Sequence, residues 1–242
     1  MGKSLTTKKV HKWRLCPNGE HWVSEHMKTI NGKKYVWHGY CALNPSGKDQ
    51  LYPNEIFEIE KKYFNRIKST TSIAPKTKKW NFKNDPNKYD NLINGWTRYW
   101  NEIFNSEDPL DPDLVKALIA SESGFNENAL TKNGQRSFAR GLAQLIDETI
   151  KALGDESGEL KDHFVTITHE EALDPSLNIC AAIRWLFRKK ETASRRLKRT
   201  ANWNETMMEY KAILAKKLNK KPYNKKILTT FNQYLKELKG LK

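Results

Sequence analysis

Of the 242 residues only three are cysteine, Cys16, Cys41 and Cys180, too few to build a disulfide scaffold. Cys180 lies in an apolar helical pattern and reads as a small core residue. Apolar runs are short too. Ala117-Leu118-Ile119-Ala120 and Ala212-Ile213-Leu214-Ala215 are among the longest, and none approaches the roughly 18 residues that argue for a membrane span. The basic stretch 1–14 has no apolar core of the kind a secretory signal carries. Acidic residues are few beside basic ones, 28 against 43, and the formal charge is +15. Such a balance points to a polyanionic partner: nucleic acid, an anionic membrane surface or an anionic cell wall. What is present is apolar and aromatic enough, 38% and 11%, to exclude a disordered chain.

Composition divides the chain into a β-rich module with a helix at 1–64, a Lys/Thr/Asn/Pro-rich linker at 65–86, and a helical domain at 87–242. In the first part, Asn31-Gly32 between two aromatic-rich runs is a strong hairpin signal. The hairpin places Trp22, His26, Ile30, Tyr35, Trp37 and Cys41 on one face, interrupted by Ser24 and Lys28; it is the better candidate for burial, and the alternation alone does not decide between the faces. Cys16, His21, His26, His38 and Cys41 invite a zinc reading. The register argues against it: His26 opposes Trp37 while Cys41 opposes Trp22, which separates them by roughly 13 Å. A Cys16–Cys41 disulfide requires the first strand to leave the sheet. The third reading is a small β module with an aromatic core and exposed histidines. A helix follows from about 53 to 64.

Helical spacing in the second part predicts helices at about 88–106, from Asp111, and near 147–154, 174–192, 203–219 and 224–239. Asp111-Pro112 is an N-cap followed by proline at the first helical position. Along that helix Leu114, Val115, Leu118 and Ile119 form an apolar stripe, and the next position on it is Glu122. A carboxyl thus stands where the pattern asks for an apolar side chain. Burial and the negative end of the helix dipole both disfavour its anion, the condition required of a general acid in glycoside cleavage. Gly124 supplies a left-handed helix end.

The stretch Ala117-Leu118-Ile119-Ala120-Ser121-Glu122-Ser123-Gly124-Phe125-Asn126, followed by Asn128-Ala129, resembles the catalytic signature of the soluble lytic transglycosylase family, which is goose-lysozyme-like. Gly141-Leu142-Ala143-Gln144-Leu145 resembles its second block, Asp174-Pro175-Ser176-Leu177-Asn178-Ile179 its third, and Tyr210 with Ala212 part of a fourth, over about 110–212. The resemblance implies a mainly α chain: a lysozyme-like helical catalytic domain carrying a small N-terminal β-rich (α+β) module. It implies a peptidoglycan lytic transglycosylase with Glu122 as the single catalytic acid/base. Gln144 would line the cleft and bind the sugar, Tyr210 would orient Glu122 or the substrate, Ser123 matches the signature serine, and Thr131 stands where an N-acetyl group is contacted. Neither a cofactor nor a metal is implied.

The sequence departs from the family pattern at three places. Ala143 replaces a methionine. Lys211 replaces an asparagine, which predicts a continuous helix from Met207 to Leu218 in place of a loop. Gln135–Arg140 reads as a loop extension. Of the nearby acids, Asp147 reads as a helix N-cap and Glu127 as an exposed loop residue. The expected partners are peptidoglycan glycan strands, drawn to a basic patch of Lys216, Lys217, Lys220, Lys221, Lys225 and Lys226, and, for an antibacterial effector or a secretion- or phage-associated enzyme, a secretion apparatus or a cognate immunity (inhibitor) protein. No nucleic acid and no membrane span is expected. The expected route is synthesis in the cytoplasm and non-classical delivery to the periplasm or cell wall. The alternatives are a hydrolytic goose-type lysozyme and a non-catalytic polyanion or nucleic-acid binder.

Overall fold

A computed structural model describes residues 12–64, 80–135 and 137–240. The chain is mainly α, with eight helices among the described residues and short strands concentrated at the N-terminus and beside the third helix. None of these helices is long and apolar enough to cross a membrane.

Strands β1 (Glu20–Val23) and β4 (Tyr40–Leu43) pair antiparallel, as do β2 (His26–Ile30) and β3 (Lys33–Trp37). Trp22 opposes Cys41 and His26 opposes Trp37, the expected register. Asn31 and Gly32 take φ of 51° and 74°, the paired left-handed values of a type I′ turn. The expected burial does not follow. Every residue of β2 and β3 is exposed, with Trp37 at 44% and Tyr35 at 48%. Period-2 alternation assigns side chains to faces, and among the described residues neither face of the ribbon has a second layer to pack on.

Cys16 and Cys41 are joined by a disulfide, with Cα atoms 5.6 Å apart. The three-way expectation for the Cys/His set therefore resolves to the bridge rather than to an aromatic-core module. The chain ahead of β1 does leave the sheet, turning at Pro17–Gly19, where Glu20 N donates to Pro17 O at 3.1 Å. Among the described residues no group of three or more His, Cys, Asp or Glu is placed to hold a metal ion.

Strand β5 (Gln50–Leu51) pairs in parallel with β9 (Phe164–Val165), and α1 (Pro53–Tyr63) buries Ile56 and Ile59 in the same core as Trp96, Trp100 and Ile183. A buried polar network lies at this junction. Arg14 pairs with Asp49 and approaches Glu55 at 3.6 Å, and His163 Nδ1 lies 2.9 Å from Asp49 Oδ2. Burial pushes the Glu55 carboxyl up to about 7, against the pull of the Arg14 charge.

Residues 65–79, most of the expected linker, lie outside the described residues. At its far end Trp80 is buried against Phe82, Phe125 and Tyr234, and its indole donates to Glu237 at 2.5 Å.

The helical core is organised around α5 (Pro175–Leu197), buried all round from Ser176 to Arg188, which marks a central rather than an amphipathic surface helix. Around it lie α2 (Asp90–Ile103), α3 (Pro112–Glu122), α4 (Asp147–Gly154) and α6 (Trp203–Tyr210), with α8 (Lys225–Gly240) packed along α3.

Two further expectations are corrected. Of the stretch Gln135–Arg140, expected as a loop extension, Arg136 lies outside the described residues and Ser137–Arg140 form a strand. Strand β7 (Ser137–Arg140) is the middle of an antiparallel sheet, between β6 (Leu130–Asn133) and β8 (Leu145–Ile146). The helix expected to continue from Met207 to Leu218 stops at Tyr210 and resumes as α7 (Leu214–Leu218). Ile213 N bonds to Met208 O at 2.7 Å and Ala212 N to Glu209 O at 3.1 Å, while Ala212 sits at φ 54°. That is a Schellman end with alanine where glycine is usual.

Candidate active site

Helix α3 opens on Asp111, whose side chain accepts from Asp113 N at 2.9 Å. Its apolar stripe is buried, and Lys116 is buried with it, paired to Asp90 at 2.7 Å. Glu122 is the last helical residue. Its side chain is 22% exposed, and Gly124 and Phe125 beyond it take left-handed φ of 57° and 64°. The purely apolar surroundings implied by the stripe are not what it meets. Lys211 Nζ donates to Glu122 Oε1 and, at 3.0 Å, to Ser121 Oγ. The Lys211 side chain is 2% exposed.

The second structural unit of the site is the turn 141–144. Gly141 is required there: at φ 68°, a Cβ would lie 2.4 Å from Asn178 Nδ2 and 2.5 Å from Ala172 O. Asn178, on α5, holds the turn from below. Its Oδ1 accepts from Ala143 N at 2.9 Å, and its Nδ2 donates to Ala172 O at 2.7 Å and Arg140 O at 3.1 Å. From the other side Tyr210 OH donates to Ala143 O at 2.9 Å. Burial pushes the Tyr210 phenol up, and the nearby Glu122 charge adds to it. Tyr210 thereby ties the turn to α6.

Gln144 and Tyr210 line one groove of about 350 Å³, together with Trp185, Lys189, Arg196 and Glu209. The Gln144 side chain donates to Gly141 O at 3.0 Å and to Ala129 O at 3.3 Å. The other two expected substrate-binding residues stand apart from this groove. Ser123 Oγ turns back to Ile119 O at 3.4 Å, and Thr131 is exposed on β6, opposite Ala139. The six lysines of the expected basic patch are exposed on and after α7, whose Ala215 reaches the groove wall.

Other acids near the site are engaged. Glu127 is not a free loop residue: it is half-buried and accepts from Tyr89 OH at 2.5 Å and Lys88 at 2.9 Å. Asp147 is not the N-cap of α4, a position held by Ile146. Its carboxylate instead binds Phe138 N at 3.0 Å and Arg140 Nε at 2.9 Å. Glu148 accepts from Ser137 Oγ at 2.7 Å. Glu209, which faces the groove, is buried and accepts from Arg196 Nε at 3.1 Å. Sequence reading missed Glu209, Trp185 and the contact of Lys211 with Glu122. Trp185 carries a signal, as a tryptophan six residues beyond the third block on the same helix. Glu209 and Lys211 carry none, because their partners, Arg196 and Glu122, lie on other helices and are brought near only by packing.

Residues 99–230, more than half of the chain, match the model of a protein family described as the transglycosylase SLT domain. No curated protein matches the chain.

Proposed function

The chain belongs to the transglycosylase SLT family and is a peptidoglycan lytic transglycosylase; from that premise we propose that Glu122 is its one catalytic acid/base and that it cuts the MurNAc–GlcNAc β-1,4 bond without water. The observation that carries this is the placement of Glu122. It ends the buried helix α3 inside the matched family segment, its side chain is 22% exposed, and Lys211 holds its Oε1 while its Oε2 has no hydrogen bond among the described residues.

Glu122 Oε2–H protonates the glycosidic oxygen, the C1–O bond breaks, and the substrate N-acetyl group supports the cation at C1. Glu122, now a carboxylate, takes the proton of the sugar 6-hydroxyl, whose oxygen closes onto C1. The product is a 1,6-anhydro-MurNAc end, and Glu122 regains its proton. Gln144 and Trp185 contact the glycan in the groove, and the exposed lysines after α7 gather the anionic wall, an attraction that weakens with salt. Action in the periplasm or cell wall agrees with the Cys16–Cys41 bridge, since disulfides persist in oxidising compartments.

The test pairs Glu122→Gln with mass spectrometry of the digestion products. The parent enzyme should release fragments one water lighter than hydrolysis gives, and E122Q should release none while keeping the parent's melting temperature. Undiminished digestion by E122Q would sink the assignment. A second reading rests on Glu209, the carboxylate that faces the groove: hydrolysis requires a second acid to hold water. Reducing ends in the parent digest that vanish in Glu209→Gln would establish it.

A further inference from the structure

Lysine is almost never fully buried unless paired, and Lys211 is buried on the one carboxylate assigned to catalysis. Its stem leaves α6 at the Schellman turn and runs to α3, 89 positions away in sequence. There the ammonium meets Glu122 Oε1, Ser121 Oγ at 3.0 Å and, at 5.9 Å, the ring of Phe231 from α8. Just past Lys211 the chain turns at Ala212, which holds a left-handed φ of 54° that is unfavourable for a residue with a side chain.

We propose that Lys211 is a positioning residue for the transglycosylation step: it occupies Oε1 of Glu122, so that Oε2 alone exchanges a proton with the substrate, and it holds the carboxylate formed when that proton leaves. The inference rests on Glu122 being the acid/base. Two properties of the contact support it. An ammonium bonded to one oxygen and anchored on Ser121 fixes the rotation of the carboxyl group, which otherwise presents two equivalent oxygens. A fixed cation beside Glu122 also favours its carboxylate, against the effect of burial and the helix dipole, and so supports the group once its proton has left.

The experiment measures kcat and KM separately on purified soluble peptidoglycan fragments for the parent, Lys211→Met, Lys211→Arg and E122Q. K211M should lose turnover by about 10²-fold, the scale of removing one preorganised donor, with KM within about twofold. K211R, which keeps the charge and a donor, should recover at least tenfold of that loss. If K211M does not fold, Lys211→Gln keeps a donor without the charge, and the same split between kcat and KM is read from it. A K211M enzyme with parental kcat, or one whose loss lies in KM, overturns the proposal while an inactive E122Q leaves the Glu122 assignment standing. An active E122Q removes the assignment itself, and the role of Lys211 with it.

Discussion

The ribbon at 26–37 and the turn at 141–144 both bend through left-handed residues, and they depend on opposite things. At Gly32, φ 74°, nothing lies within 4 Å of where a Cβ would stand. At Gly141, φ 68°, a Cβ would collide with Asn178 and with the Ala172 carbonyl. The first bend is set by its own dipeptide and exists without tertiary support. The second is set by what surrounds it: Asn178 below, Tyr210 above, and the groove beyond. Local chemistry is enough to shape a strand pair, whereas the site needs backbone and side chains from three distant segments to agree.

Substitution of the two glycines breaks this comparison most directly. Gly141→Ala adds left-handed strain to a collision in a packed interior and should cost about 3–5 kcal/mol in denaturant unfolding, with loss of wall digestion. A smaller effect is expected at the junction that ties the N-terminal segment to the helical core. The Glu55 carboxyl is raised from 4.5 to about 7 in the folded state, mainly by burial. Its neutral form therefore contributes stability that is fully present below about 4.5 and is lost as pH rises through 7. Thermal melts should show the parent falling across that window and Glu55→Gln falling less. Gly32→Ala, strained but free of collision, should cost about 1 kcal/mol and leave activity intact. Trp37→Ala should change stability by less than about 0.5 kcal/mol, because its ring rests on no core. A large loss at Trp37 would mean that the ribbon is packed after all.

How much was legible follows the same division. The hairpin register, the N-cap at Asp111 and most helix spans are written in neighbouring residues, and they stand where the spacing put them. The stripe ending in Glu122 singled out one carboxyl, and it lies at the helix end. Burial of the ribbon was not legible, since alternation says which side chains share a face and nothing about whether a second layer exists. The bridge between Cys16 and Cys41 depended on where the chain goes before β1. Ala212 hid the end of α6 because alanine gives no cue for a left-handed turn, and the approach of Lys211 to Glu122, 89 positions away, depends on how distant helices pack. Asn178 stood in the third block with no stated task. Its three hydrogen bonds to the 140–143 region and Ala172 emerge only when α5 is laid beneath the turn.

The ribbon at 26–37 carries one further consequence. Its shape is stored in two adjacent residues, and its side chains are held by no other layer, so it is a handle on the molecule. A peptide epitope, a fluorophore or a surface anchor grafted between Thr29 and Lys34 should leave the groove undisturbed, since no residue of 26–37 lines it.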